Sequence, residues 1–88
     1  MVSQKVTIQN KDGLHLRPAG LLCKEALKYN SHISFKIRTS VANAKSVLSV
    51  LAACVKSGEE IELTCEGEDE ELALRALVKL IENGLGES

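Results

Sequence analysis

A histidine and an arginine two residues apart, His15 and Arg17, stand where a helix is predicted to begin. The unpaired backbone N–H groups and the positive dipole end of a helix start disfavour the imidazolium form, so we expect a neutral, nucleophilic ring near pH 7. The same N–H groups can bind the oxygens of a phosphate attached to the ring. A guanidinium can bind two phosphate oxygens at once. This junction is therefore a candidate phosphate site.

The alternative for this junction is a surface loop histidine beside a solvated arginine, because the spacing HxR is not a specific signal by itself. Motifs for other chemistries are missing from the sequence, which has no GxxxxGK[ST] loop, no HExxH and no GxSxG. One histidine beside an arginine, without an adjacent acid or a second base, makes a poor site for turnover. It suits a phosphate acceptor that one protein phosphorylates and from which another protein takes the phosphate.

The residues that flank the junction set how the chain enters the helix. Pro18 suits a first helical turn, where a missing N–H costs nothing. It also biases Arg17 away from helical dihedrals, so the sequence is compatible with a helix start at Leu16 or at Pro18. Gly13 permits a tight approach of the preceding strand to the helix.

The elements that must position the junction follow from hydrophobic periodicity. Residues 2–8, 32–37 and 60–66 alternate apolar and polar side chains, as strands buried on one face do, and 41–43 adds a short strand by hairpin. Residues 18–29, 46–55 and 69–83 have helical spacing, with Ser46 and Asp69 as N-caps and Gly84 as a stop. The order β-α-β-β-α-β-α predicts one α+β domain over 1–88, with three helices on one face of a four-stranded, mostly antiparallel sheet.

Composition excludes several classes of protein. A hydrophobic fraction of 44% with 26% charged residues is typical of a globular chain. A net charge of -1 and 2% aromatic residues argue against nucleic acid and anionic lipid as partners. No segment is long enough to insert into a membrane. Three cysteines without a CxxC predict small buried thiols, no disulfide, no metal site and a cytoplasmic location. We expect no cofactor.

The segment GLHLRPA at 13–19 resembles the active-site segment of HPr, the histidine-containing phosphocarrier of the bacterial phosphoenolpyruvate:sugar phosphotransferase system. The resemblance extends over the chain through NAKS at 43–46, GEDE at 67–70 and the order of elements. It implies an HPr-like open-faced sandwich. It also implies that His15 accepts phosphate on Nδ1 from enzyme I, which draws it from phosphoenolpyruvate, and passes it to sugar-specific enzyme IIA. Arg17 would support the phosphate. Such a protein is a carrier and does not turn over substrate alone.

Ser46 matches the serine that is phosphorylated in HPr of Gram-positive bacteria by the HPr kinase/phosphorylase. The resemblance therefore leaves a second reading open: a regulatory module that acts mainly through phospho-Ser46 and a transcriptional regulator such as the catabolite control protein. A third interpretation is a small α+β enzyme, or another protein of the same fold, with no role in phosphotransfer.

Exposed apolar residues near His15 predict a docking surface, since Leu14, Leu16, Leu48 and Leu51 cannot all fit a core this small. The predicted docking residues are Leu14, Leu16, Gly20, Val47, Leu48 and Leu51.

A basic rim around the first two helices could be formed by Lys24, Lys28 and Lys45, with Arg17. Many family members have Gly where Ser49 stands, Ala or Thr where Gly20 stands, and Gly-Lys at Thr39-Ser40. These departures bear on partner affinity. We expect a monomer.

Overall fold

The structure is a computed structural model that describes residues 1–86. In that range the chain forms four strands and three helices. The elements are β1 (Val2–Thr7), α1 (Leu16–Ala26), β2 (His32–Ile37), β3 (Ser40–Asn43), α2 (Val47–Ala52), β4 (Glu60–Glu66) and α3 (Glu70–Glu82). The predicted order β-α-β-β-α-β-α and the α+β class are confirmed.

The sheet has the strand order β1-β4-β2-β3, and all three strand pairs are antiparallel. Its register places Leu63 of β4 opposite Gln4 on one side and opposite Phe35 on the other. Ile61, Leu63 and Cys65 of this inner strand are buried, whereas Glu60 and Glu66 are exposed. The period-two alternation thus assigns one face of the sheet to the core and leaves the other open to solvent.

The helices cover the apolar face unequally. α1 buries Pro18, Ala19, Leu22, Cys23 and Ala26, and α3 buries four residues. By contrast, α2 buries only Val50 among its six residues. α1 contacts both α2 and α3, and α2 leaves Leu48 largely outside the core.

The helix boundaries differ from the predicted ones by a few residues. α1 begins at Leu16, the earlier of the two predicted starts, and ends at Ala26 rather than at residue 29. α2 was predicted to reach residue 55 but ends at Ala52, because Cys54 adopts a left-handed φ of 52° that no helix can continue. α3 ends at Glu82, followed by Gly84 with φ 88°, which confirms the predicted stop.

Two expectations for single side chains are wrong. Cys23 and Cys65 are buried, as predicted, but Cys54 is exposed because the chain turns out of α2 at this residue. Asp69 occupies the N-cap position of α3 but its side chain makes no capping hydrogen bond. Its carboxylate instead accepts hydrogen bonds from Asn30 and Ser31, which precede β2.

Across residues 1–86 no helix has the length and apolarity to cross a membrane.

Candidate phosphate-acceptor site

His15 is the N-cap residue of α1. Its backbone is extended, with φ −78° and ψ −172°, and its carbonyl oxygen accepts the first helical hydrogen bond from Ala19 N–H at 2.9 Å. The N–H groups of Leu16 and Arg17 are therefore in the first turn, where the helix supplies no acceptor. Pro18, at the third helical position, has no N–H to leave unsatisfied. The half-buried imidazole is thus carried at the end of a helix that favours anions.

Arg17 is the second residue of α1 and is exposed. Among residues 1–86 its guanidinium makes no ion pair, while the next two residues, Pro18 and Ala19, are buried and fix the helix to the core. A first turn fixed to the core therefore carries an exposed, permanently charged group beside His15. This arrangement suits the binding of an anion that comes and goes.

The loop before His15 is attached to the segment that follows α2. The Gly13 N–H donates to Asn10 O and the Leu14 N–H donates to Val55 O, both at 2.9 Å. Gly13 has φ 69°, which confirms the predicted need for a glycine at this close approach. No sequence pattern indicates this partner, because Val55 contributes only a backbone oxygen.

Leu14, predicted to be an exposed docking residue, is buried. It is 4% exposed and lies in the hydrophobic core. Its N–H bond to Val55 draws the residue inward, so its side chain points away from solvent while the next residue, His15, remains accessible. The expectation that Leu14 is an exposed side chain is therefore wrong.

The other predicted docking residues lie on α1 and α2, which contact each other. Leu16 is 68% exposed and Leu48 is 80% exposed. Gly20, Val47 and Leu51 are half-buried. We call these five residues the α1–α2 face. It places exposed apolar side chains on both helices, and one of them, Leu16, directly follows His15.

Ser46 is the N-cap of α2, as predicted. Its hydroxyl oxygen accepts a hydrogen bond from Ser49 N–H at 3.2 Å, and its carbonyl oxygen accepts one from Val50 N–H at 3.0 Å. The Ser49 hydroxyl oxygen in turn accepts from Asn43 N–H at 2.9 Å. Ser49, noted in the sequence only as a departure from the family pattern, therefore helps to hold the turn that presents Ser46.

Two of the four residues of the predicted basic rim bond to other groups of the domain. The Lys45 Nζ donates to Tyr29 O at 2.7 Å, at the end of α1. Lys28 pairs with Glu25 at 3.0 Å, and this hydrogen bond raises the pKa of Lys28. In the part of the chain that the structure describes, Arg17 and Lys24 are the members of the rim without such a contact. Of these two residues, Arg17 lies in the first turn of α1, beside His15, and Lys24 lies in the last turn.

Comparisons with known proteins agree with this geometry. A family model described as "PTS HPr component phosphorylation site" matches residues 2–83. The chain is 40% identical over 83 residues to phosphocarrier protein HPr of Treponema pallidum, a match that covers 94% of each chain. It is 37% identical over 82 residues to the HPr-like protein Crh of Bacillus subtilis, covering 93% of this chain and 96% of Crh. A crystal structure of HPr from Thermoanaerobacter tengcongensis superimposes with a TM-score of 0.96 at 41% identity, covering 100% of this chain and 99% of the other.

Proposed function

The chain belongs to the HPr family of phosphocarriers of the phosphotransferase system, and from this premise we propose that His15 accepts a phosphoryl group from enzyme I and passes it to enzyme IIA domains. As a member of this family the chain is a phosphocarrier and not an enzyme. The observation that carries the proposal is the position of His15 at the N-cap of α1, two residues before an exposed arginine.

The chemistry asked of His15 is a reversible transfer. A lone pair of ring nitrogen Nδ1 attacks the phosphorus atom held by enzyme I, and the new N–P bond forms as the bond to enzyme I breaks. The proton on Nε2 stays in place, and the enzyme I atom that carried the phosphoryl group keeps the electron pair of the broken bond. The first-turn N–H groups and the Arg17 guanidinium then stabilise the phosphoryl oxygens. The second transfer repeats these steps with enzyme IIA as the acceptor.

The test is incubation of the protein with enzyme I and phosphoenolpyruvate, followed by mass spectrometry. We expect one added phosphate on the wild type that is lost in acid, and none on His15→Ala. Ser46→Ala serves as the matched control and should take up phosphate normally. Arg17→Ala should still be phosphorylated, but more slowly, since the guanidinium supports the phosphate and does not carry it. No phosphate on the wild type, with an enzyme I that is active on another HPr, would refute the proposal.

Regulation through Ser46 is a second candidate function, favoured by the N-cap geometry of this serine and by the similarity to Crh. A phosphate on the Ser46 oxygen would lie at the start of α2, where backbone N–H groups stabilise negative charge. It would also place a dianion beside Val47 and Leu48, on the face that partners of His15 would contact. Phospho-Ser46 would thereby weaken docking of enzyme I and offer a surface to a transcriptional regulator such as the catabolite control protein.

This second function is tested with an HPr kinase/phosphorylase and ATP. Acid-stable phosphate should appear on the wild type and on Ser49→Ala but not on Ser46→Ala. Equal labelling of Ser46→Ala would place the modification elsewhere.

A monomer in the cytoplasm is the form we expect for a carrier that presents one site to several partners. Light scattering after gel filtration measures the oligomeric state directly.

A further inference from the structure

Arg38 connects the β2–β3 turn to the end of α2. The residue has a left-handed φ of 54°, and its side chain reaches across to a segment distant in the sequence. Its Nη2 donates to Ala53 O at 2.9 Å and its Nη1 pairs with the Glu59 carboxylate. Ala53 is the C-cap of α2, where backbone carbonyls lack helical partners and a cation is favoured. One guanidinium thus binds both ends of the segment 53–59.

Glu59 fixes the other end of this segment. Its Oε1 accepts a hydrogen bond from Lys56 N–H at 2.7 Å, while its backbone oxygen accepts one from Ile8 N–H at 2.9 Å. The bond from the Lys56 N–H, and next the one from Arg38, lower the pKa of the Glu59 carboxyl. Glu59 is therefore a charged acceptor under ordinary conditions, and it fixes the segment to Ile8, which follows β1, as well as to Arg38.

The opposite side of segment 53–59 holds the loop that carries His15. Val55 O accepts the Leu14 N–H bond, and Gly13 packs against the same carbonyl group. Between Ala53 and Val55 lies Cys54, whose left-handed φ is unfavourable for a residue with a Cβ atom. A strained residue thus separates the carbonyl that Arg38 holds from the carbonyl that Leu14 uses. The buried Val55 side chain fixes this segment to the core, and Arg38 fixes it from the solvent side.

We propose that Arg38 is a positioning residue for phosphoryl transfer at His15, because it holds segment 53–59 and thereby the Val55 oxygen that orients Leu14 and His15. The inference rests on the proposed function of His15. It requires no contact between Arg38 and a partner protein. The alternative is a partly exposed ion pair with a small effect on overall stability and none on the loop.

The first experiment measures amide hydrogen exchange in Arg38→Met. The Leu14 N–H should exchange about three- to tenfold faster than in the wild type, the range expected for loss of a partly exposed, charged hydrogen bond. Leu63 N–H, in the inner strand β4, reports global unfolding and corrects for any overall loss of stability. Lys36→Met removes a positive charge from the same hairpin and is the matched control, with Leu14 exchange unchanged. A uniform increase at Leu14 and Leu63 would show that Arg38 acts only on overall stability.

The second experiment separates positioning from docking. With the carrier as the varied substrate of enzyme I, Arg38→Met should lower kcat about threefold or more, as a displaced reacting group does, with little change in KM. Arg38→Lys should restore part of the rate, since an ammonium can reach one acceptor but not both. A raised KM with unchanged kcat would mean that Arg38 contacts enzyme I, and unchanged values of both would also overturn the inference. Failure of the wild type to take up phosphate would refute the function itself, whereas wild-type activity with unchanged Leu14 exchange in Arg38→Met would refute the inference alone.

Discussion

Gly13 approaches Val55 so closely that a Cβ atom on Gly13 would lie 2.2 Å from the Val55 carbonyl oxygen. The same atom would lie 2.9 Å from the Cα atom of Lys56. This contact brings the Leu14 N–H within 2.9 Å of the Val55 oxygen, so it sets where the chain enters α1. The position of His15 thus depends on the residue type two places before it and on a backbone group in the segment between α2 and β4.

Gly13→Ala is expected to lower the free energy of unfolding by about 2–4 kcal/mol, the sum of a left-handed backbone penalty and an overlap with fixed backbone atoms. Gly58→Ala is the matched control. Gly58 also has a positive φ, of 87°, but a Cβ there would meet nothing within 4 Å, so only the backbone penalty of about 1 kcal/mol applies. Urea unfolding with a common m-value measures both variants. Equal losses would show that the close contact with Val55 relaxes without cost.

The site could be located from sequence because its main parts are neighbours along the chain. Gly13, His15, Arg17 and Pro18 fall within six positions, and each has a local role that its side chain predicts. The exposure of Leu14 could not be predicted in this way. It depends on a hydrogen bond to a backbone oxygen after α2, and backbone acceptors have no sequence signal.

The wrong expectations have the same physical origin. Asp69 is a good N-cap residue by type, but Asn30 and Ser31 lie close to its carboxylate in the fold and bind it instead. The end of α2 was predicted too late because Cys54, rather than glycine, adopts the left-handed conformation there. In both cases a tertiary contact or turn overrides a local preference. By contrast, the periodicity of the strands was sufficient to predict the core face of the sheet.

Gly20→Ala is expected to stabilise the domain. Gly20 lies inside α1 and a Cβ there would meet nothing within 4 Å, so alanine adds helix propensity without a clash. The gain should be about 0.5–1 kcal/mol, which for a domain of this size raises Tm by about 3–6 °C. Calorimetric melting measures it. An unchanged or lower Tm would indicate that the added methyl group disturbs the packing of α1 against α2.

The stability of the domain should fall at acid pH because of Asp69. The Ser31 hydroxyl and the Asn30 and Ser31 N–H groups donate to this carboxylate, and these bonds, the hydroxyl first, lower its pKa. A carboxyl whose pKa is lowered in the folded state stabilises the fold above its unfolded pKa. That contribution is lost as the pH falls through the folded pKa.

The measurement is the free energy of unfolding in urea from about pH 6 to about pH 3, across the carboxyl range. Asp69→Asn should have lower stability at pH 6 and a shallower decline toward pH 3 than the wild type. Glu68→Gln, which alters an exposed carboxyl beside it, should keep the wild-type decline. The same decline in Asp69→Asn as in the wild type would assign the acid sensitivity to other carboxyls, such as Glu70, whose pKa is lowered by the Gly67 N–H.

Leu14 and Leu48 should separate folding from docking, because one is 4% exposed and the other 80% exposed. Leu14→Ala should lower the free energy of unfolding by about 2–4 kcal/mol, as truncation of a buried leucine does. Leu48→Asp should change it by less than about 0.5 kcal/mol, since the side chain leaves no cavity and a carboxylate is favourable in the first turn of α2.

The binding measurements complete this contrast. In titration calorimetry with enzyme I, Leu48→Asp should bind about tenfold or more weakly, because a charge replaces the most exposed apolar side chain of the α1–α2 face. Leu72→Asp is the control, since Leu72 is also exposed, at 63%, but lies on α3. Its affinity should match that of the wild type. Equal weakening by both substitutions would mean that enzyme I responds to added negative charge anywhere on the domain, and the α1–α2 face would then have no special role in docking.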